Sequence, residues 1–183
     1  LEGNKINAGE FNFELAKIYG STERRDLMLT TYLDILLKDP SHLAFIENTL
    51  QVEFESEKEF SKLESTALRY VQSRPSKVVY SELLEWLYIQ KKQFSKALVQ
   101  AKAIDKRKNK PGQFYMAGKE VYDLGELSLA NKDYKTAIKA FDYVCDKHRN
   151  RPIYIKARTA LLNSKEEQIK NTYPVDTARI VDL

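Results

Sequence analysis

An apolar pattern with helical spacing recurs along this chain. Leu15-Ala16, Tyr19, Tyr32, Ile35 and Pro40 return as Leu50, Phe54, Leu63, Ala67, Tyr70 and Pro75. They return again as Leu84, Tyr88, Ala97, Ala101 and Ile104, and once more as Leu124-Gly125, Ala137, Phe141 and Val144. The anchoring leucines step by 35, 34 and 40 residues. A period of about 34 residues holds one pair of helices, and a unit that small buries its apolar face only against its neighbours. The pattern predicts an all-α stack of helix pairs. Such an architecture presents surface for binding another macromolecule.

Four units are expected within a single domain spanning 1–183, over about 9–42, 44–77, 78–111 and 118–151. Each splits into two runs of helical period. In the first unit, Phe11, Leu15, Ile18 and Tyr19 share one face, Gly20-Ser21-Thr22 interrupts, and Leu27, Leu29, Tyr32, Ile35 and Leu36 form the second run. Asp39-Pro40 then stops that helix, and Asp39 can cap the next one with Pro40 at its first position. Ser73-Arg74-Pro75 repeats the device one period later. The other pairs fall over 43–54 and 60–71, 78–89 and 94–104, and 119–130 and 134–146. The long third step places an insertion within 106–118, around Pro111-Gly112. After Pro152, a helix over about 152–169 carries Ile155, Ala157, Ala160, Leu161 and Leu162. Its register is that of a fifth first helix, able to cap the open end of the stack. The tail 170–183 reads as the start of a further helix. The first residue is Leu, so the chain reads as a piece of something longer.

Composition narrows the function. Apolar residues make up 43% and charged residues 31%, and only six Gly and five Pro interrupt the chain, which suits long helices joined by short turns. No apolar run is long enough to span a membrane as a helix. The single cysteine, Cys145, permits no internal disulfide or Cys-based zinc site and reads as core. It fits a reducing compartment and a bacterial envelope equally. His42 and His148 lack partners at metal-ligand spacing. No Gly-rich phosphate loop, nucleophile elbow or HExxH motif occurs, so no catalytic residue, cofactor or metal is predicted. Charge is uneven: residues 47–64 hold six Glu against two Lys, and 91–110 hold seven Lys and one Arg against one Asp. Lysines near a helix C-terminus suit the macrodipole and explain much of the basic run. The alternative is that 91–115, with Lys102, Lys106, Arg107, Lys108 and Lys110, meets nucleic acid or an anionic surface. Nucleic-acid surfaces interleave aromatics with their cations. Here Phe114 and Tyr115 only follow the basic run, so that alternative is disfavoured.

The repeating residues resemble the tetratricopeptide repeat (TPR) family. Leu124-Gly125, Asp133-Tyr134, Ala137 and Phe141 match its pattern best, and Leu15-Ala16, Tyr19, Tyr32 and Pro40 come next. Gln51 and Glu85 stand where the pattern has a small residue, and Met28 and Leu63 replace its second-helix alanine. The resemblance implies a right-handed α-α superhelix whose first helices line a concave groove for an extended peptide or a partner helix. It places Phe13 and Lys17, Asn48 and Val52, Glu82, Trp86 and Gln90, Tyr122 and Glu126, and Lys156 along that groove. Aromatic and polar positions mix there, as in interfaces that combine stacking with hydrogen bonding. A TPR subtype that grips C-terminal carboxylates is set aside, because Phe13 and Glu82 occupy positions that need cations or amides. Trp86 is a candidate hot spot or a packing residue beside Leu83 and Leu87. The third and fourth units also resemble large multi-repeat bacterial TPR proteins, which favours a bacterial envelope over the cytoplasm. The expected function is a protein-interaction scaffold. A purely structural spacer, or a self-association module forming homo-oligomers, is a further alternative.

Overall fold

Turn chemistry decides where each helix starts and stops. The computed structural model describes residues 8–54, 56–110 and 116–171. Of these described residues 82% are helical, in nine α-helices and one 3-10 turn with no strand. They are α1 (Ala8–Ser21), α2 (Arg25–Lys38), α3 (Leu43–Glu53), α4 (Glu57–Ser73), α5 (Val79–Gln90), α6 (Phe94–Lys108), α7 (Lys119–Ala130), α8 (Tyr134–Lys147) and α9 (Ile153–Lys170). The expected helix in the tail, and the segment with Pro111-Gly112, Phe114 and Tyr115, lie outside the described residues.

Caps account for several of these boundaries. Asp39 Oδ1 accepts a hydrogen bond from the Ser41 N–H at 3.0 Å, opening a 3-10 turn, Pro40–His42, that leads into α3. Ser56 and Glu59 form a reciprocal capping box, with Glu59 N–H to Ser56 Oγ at 3.3 Å and Ser56 N–H to Glu59 Oε2 at 3.0 Å. Asp133 Oδ1 accepts from the Thr136 N–H at the start of α8.

Three turns inside helix pairs share one geometry. Glu23, Lys92 and Lys132 adopt φ of 59°, 53° and 62°. Each donates its N–H to the carbonyl three residues back: Gly20, Ile89 and Leu129. The following residues, Arg24, Gln93 and Asp133, donate to Tyr19, Tyr88 and Ser128. This is the Schellman ending, which satisfies orphan carbonyls and reverses the chain. It usually employs glycine, yet here the left-handed residue carries a side chain each time.

The chain divides into two compact units, Leu1–Leu87 and Tyr88–Leu183, with the division in the last turn of α5. In the first unit α2 packs on α1 and α4. Its core includes Met28, Leu33, Leu36, Ile46, Leu63 and Leu84, all at most 1% exposed. Full burial of each such side chain contributes about 1.5–3 kcal/mol. Met28 and Leu63, which stand where the tetratricopeptide pattern has alanine, are thus central to this core. Tyr80 is fully buried, and its hydroxyl donates to the Leu33 carbonyl of α2 at 3.0 Å. In the second unit α7 packs on α6 and α8, and α9 packs on α8 and α7. Ala137, Phe141 and Ala160 form the centre of that packing, flanked by Tyr122, Leu129 and Leu161.

Candidate functional site

The groove positions differ in what holds them. In the first unit, Phe13 is half-buried, with its ring 5.2 Å from Phe45 edge-on and 5.0 Å from His42. Lys17 is exposed and paired with Glu14 at 2.8 Å. Asn48 is exposed, and Val52 is 80% exposed. Trp86 is half-buried between fully buried Leu83 and Leu87. Glu82 is also half-buried and acts electrostatically on Glu47 of α3. Burial foremost, and then the Glu82 charge, raise the Glu47 carboxyl to about 7.

In the second unit, Gln90, Glu126 and Lys156 are exposed and Tyr122 is half-buried. The Tyr122 ring lies 5.3 Å from Phe141. Burial, followed by the charge and hydrogen bond of Glu126, pushes its hydroxyl pKa up. Tyr122 therefore offers one face to the core and a polar tip to the surface.

The basic stretch is less uniform than its sequence. Lys102 lies over the Tyr143 ring at 5.0 Å, and burial pushes its pKa down. Lys108 Nζ pairs with Glu120 at 3.0 Å. Arg107 is half-buried and has an interaction partner as well. Lys106 and Lys110 are exposed. The last turn of α6 carries Lys106, Arg107 and Lys108, where cations complement the macrodipole.

Beneath this stretch lies a buried polar cluster. Asp105 Oδ2 is 2.7 Å from His148 Nε2 and accepts from the Tyr143 hydroxyl at 3.0 Å. Asp105 Oδ1 accepts from the Gly118 N–H at 2.7 Å. Both the Asp105 and His148 side chains are 2% exposed. Burial foremost, and then the Asp105 bond and charge, raise the Tyr143 hydroxyl pKa. Gly118 has φ 83°, and a Cβ there would sit 2.7 Å from His148 Cδ2. The cluster ties the end of α6, the start of α7 and the end of α8 together. Both Asp105 carboxylate oxygens are engaged in holding these three helix ends.

One hollow in the second unit combines apolar surface with positive charge. It measures about 270 Å³ and lies between the segment entering α7 and the segment entering α9. Met116, Ala117, Pro152 and Ile153 supply its apolar lining. Lys119, Arg151 and Lys156 supply three cations.

The sequence matches no family model, and it matches no curated protein.

Of the hollow's residues, only Lys156 stood among the groove positions expected from the sequence. A signal for the others was present. Lys119 opens α7, and no acidic residue stands in the first turn of α9. Cations at helix starts oppose the macrodipole, which favours anions there. Asp105 was obscured for a different reason: it is the sole acid in a basic run, and His148 lies 43 residues further on.

Proposed function

We propose that this chain is a TPR-like helical-repeat scaffold, a right-handed α-α superhelix in which α9 serves as the capping helix. On this reading the first helices of each unit present a non-catalytic surface that holds a peptide or a partner helix. The observation that carries the reading is periodic: the Schellman turn recurs at Glu23, Lys92 and Lys132, at one phase of the sequence repeat. A second support is the fit of Gly125 beneath Phe141, the two positions at which the family resemblance is strongest. Half-buried Trp86 and Tyr122 add rigid aromatic surface of the kind that dominates interface energetics.

The basic-surface alternative draws less support, because Lys102, Arg107 and Lys108 already have partners within the fold.

Selection of peptides from a displayed library on the immobilised chain tests the proposal. Selected peptides should shift the emission of Trp86, the sole tryptophan. They should bind at least about tenfold more weakly to Trp86→Ala or Tyr122→Ala, a loss of about 1.4 kcal/mol. Lys139→Ala, at an exposed second-helix position, should bind normally. Peptides that bind all four proteins equally, or a selection that enriches none, would count against a first-helix binding face.

A further inference from the structure

We infer that the hollow between the entries to α7 and α9 is a subsite for an acidic peptide segment. It takes an apolar side chain together with an adjacent carboxylate. The inference rests on the peptide-binding reading and names the chemistry of one part of it.

Three observations converge here. The first is shape and lining: about 270 Å³ of mostly apolar hollow, with Ala117 buried and Ile153 half-buried. Ligand pockets for drug-sized molecules run from about 300 to 1,000 Å³, so this hollow suits one or two side chains better than a whole metabolite. The second is charge. Lys119, Arg151 and Lys156 all line the hollow and all are exposed, whereas among the described residues no carboxylate lines it. Lys119 is paired with Asp123 at 2.5 Å, but among the described residues Arg151 and Lys156 have no ion-pair partner. The third is placement. These cations stand at helix entries, where the positive end of the dipole already repels them, and an arriving carboxylate relieves that repulsion.

The lining also selects among anions. Nucleic-acid sites stack bases on aromatic rings, and among the described residues no aromatic lines this hollow. Inorganic phosphate would leave Met116, Pro152 and Ile153 unused. A carboxylate beside a branched aliphatic side chain uses both kinds of lining.

The test uses the full chain, labelled with ¹⁵N, and three capped dipeptides: Ac-Leu-Asp-NH2, Ac-Leu-Asn-NH2 and Ac-Gly-Asp-NH2. Ac-Leu-Asp-NH2 should shift amide resonances at 116–119 and 151–156 saturably. The neutral isostere and the glycine analogue should each bind at least about fivefold more weakly. Arg151→Gln combined with Lys156→Gln, at exposed positions that leave the core intact, should weaken Ac-Leu-Asp-NH2 at least about tenfold. Three results would overturn the inference: no saturable shift at these amides, equal binding of the Asn peptide, or equal binding to the double variant. Inorganic phosphate shifting the same resonances as strongly as Ac-Leu-Asp-NH2 would make the hollow a plain anion site and sink the peptide assignment. Failure here, with Trp86 and Tyr122 still required by selected peptides, removes the subsite alone. Loss of both removes the scaffold reading with it.

Discussion

Gly125 sits directly beneath Phe141: a Cβ on Gly125 would lie 2.6 Å from Cε1, 2.9 Å from Cζ and 3.0 Å from Cδ1 of that ring. Phe141 is fully buried and cannot swing away. Two opposing effects decide what alanine does at this position. Replacing a mid-helix glycine ordinarily stabilises a helix by about 1 kcal/mol. Forcing a methyl into a filled core costs about 1–3 kcal/mol. The contact wins, because the glycine allows α7 to approach the α8 ring. Gly125→Ala should therefore lose up to about 2 kcal/mol in urea denaturation. Adding Phe141→Leu to Gly125→Ala should cost less than the sum of the single changes, since the two share one space. Strict additivity would show that the close approach does not matter.

The recurring turns give a prediction of opposite sign. Lys132 is exposed and left-handed at φ 62°. A side chain in that conformation costs about 1–2 kcal/mol, while glycine adds only about 0.5–1 kcal/mol of unfolded-state entropy. Lys132→Gly should raise stability by about 0.5–1 kcal/mol, and Lys132→Val should lower it. A thermal melt of the two variants checks the order. If glycine destabilises, the Schellman geometry is not what sets the cost of this turn.

How legible was this architecture in the sequence? Pro40, Gly20 and Asp133 are local signals, and helix ends beside them fall within a residue or two of where spacing puts them. The start of α4 falls earlier, at Glu57 and not Phe60, because the Ser56–Glu59 capping box extends the helix ahead of its first apolar residue. Side-chain placement was harder. Stepping by four along a helix places Phe13 on a candidate groove face, and its ring packs against Phe45 of α3 and His42 of the turn before it. Spacing fixes a face but not what stands opposite it. Asp105 and His148 meet only because α6 and α8 pack together, and no local pattern encodes that contact.

That meeting can be tested through the backbone it holds. Asp105→Ala would strip partners from the Gly118 N–H, the Tyr143 hydroxyl and His148 at once. Breaking a buried, hydrogen-bonded pair from one side costs about 3–5 kcal/mol. The loss should appear in the second unit, with the Gly118 amide exchanging its hydrogen far faster. Tyr143→Phe removes one bond only and should cost about 0.5–1.5 kcal/mol. If Gly118 protection survives Asp105→Ala, the cluster does not fix the entry to α7.

The Glu47 carboxyl sets a pH dependence in the first unit. Its folded pKa is raised to about 7 from 4.5, by burial first and the Glu82 charge second. The folded state therefore binds a proton more tightly than the unfolded chain, so stability must fall as pH rises between those values. The contribution is fully present below pH 4.5 and is lost once pH passes about 7. Because the group is only half-buried, solvent screens part of the effect, and about 1–2 kcal/mol is the expected size. Glu47→Gln keeps the shape of the protonated acid and cannot ionise. It should leave stability at pH 5 nearly unchanged and raise it at pH 8 by about 1–2 kcal/mol. Urea midpoints of both proteins across that range provide the measurement. Parallel pH curves for wild type and Glu47→Gln would mean that Glu47 titrates as an ordinary surface acid, and that its nearness to Glu82 carries no energetic weight.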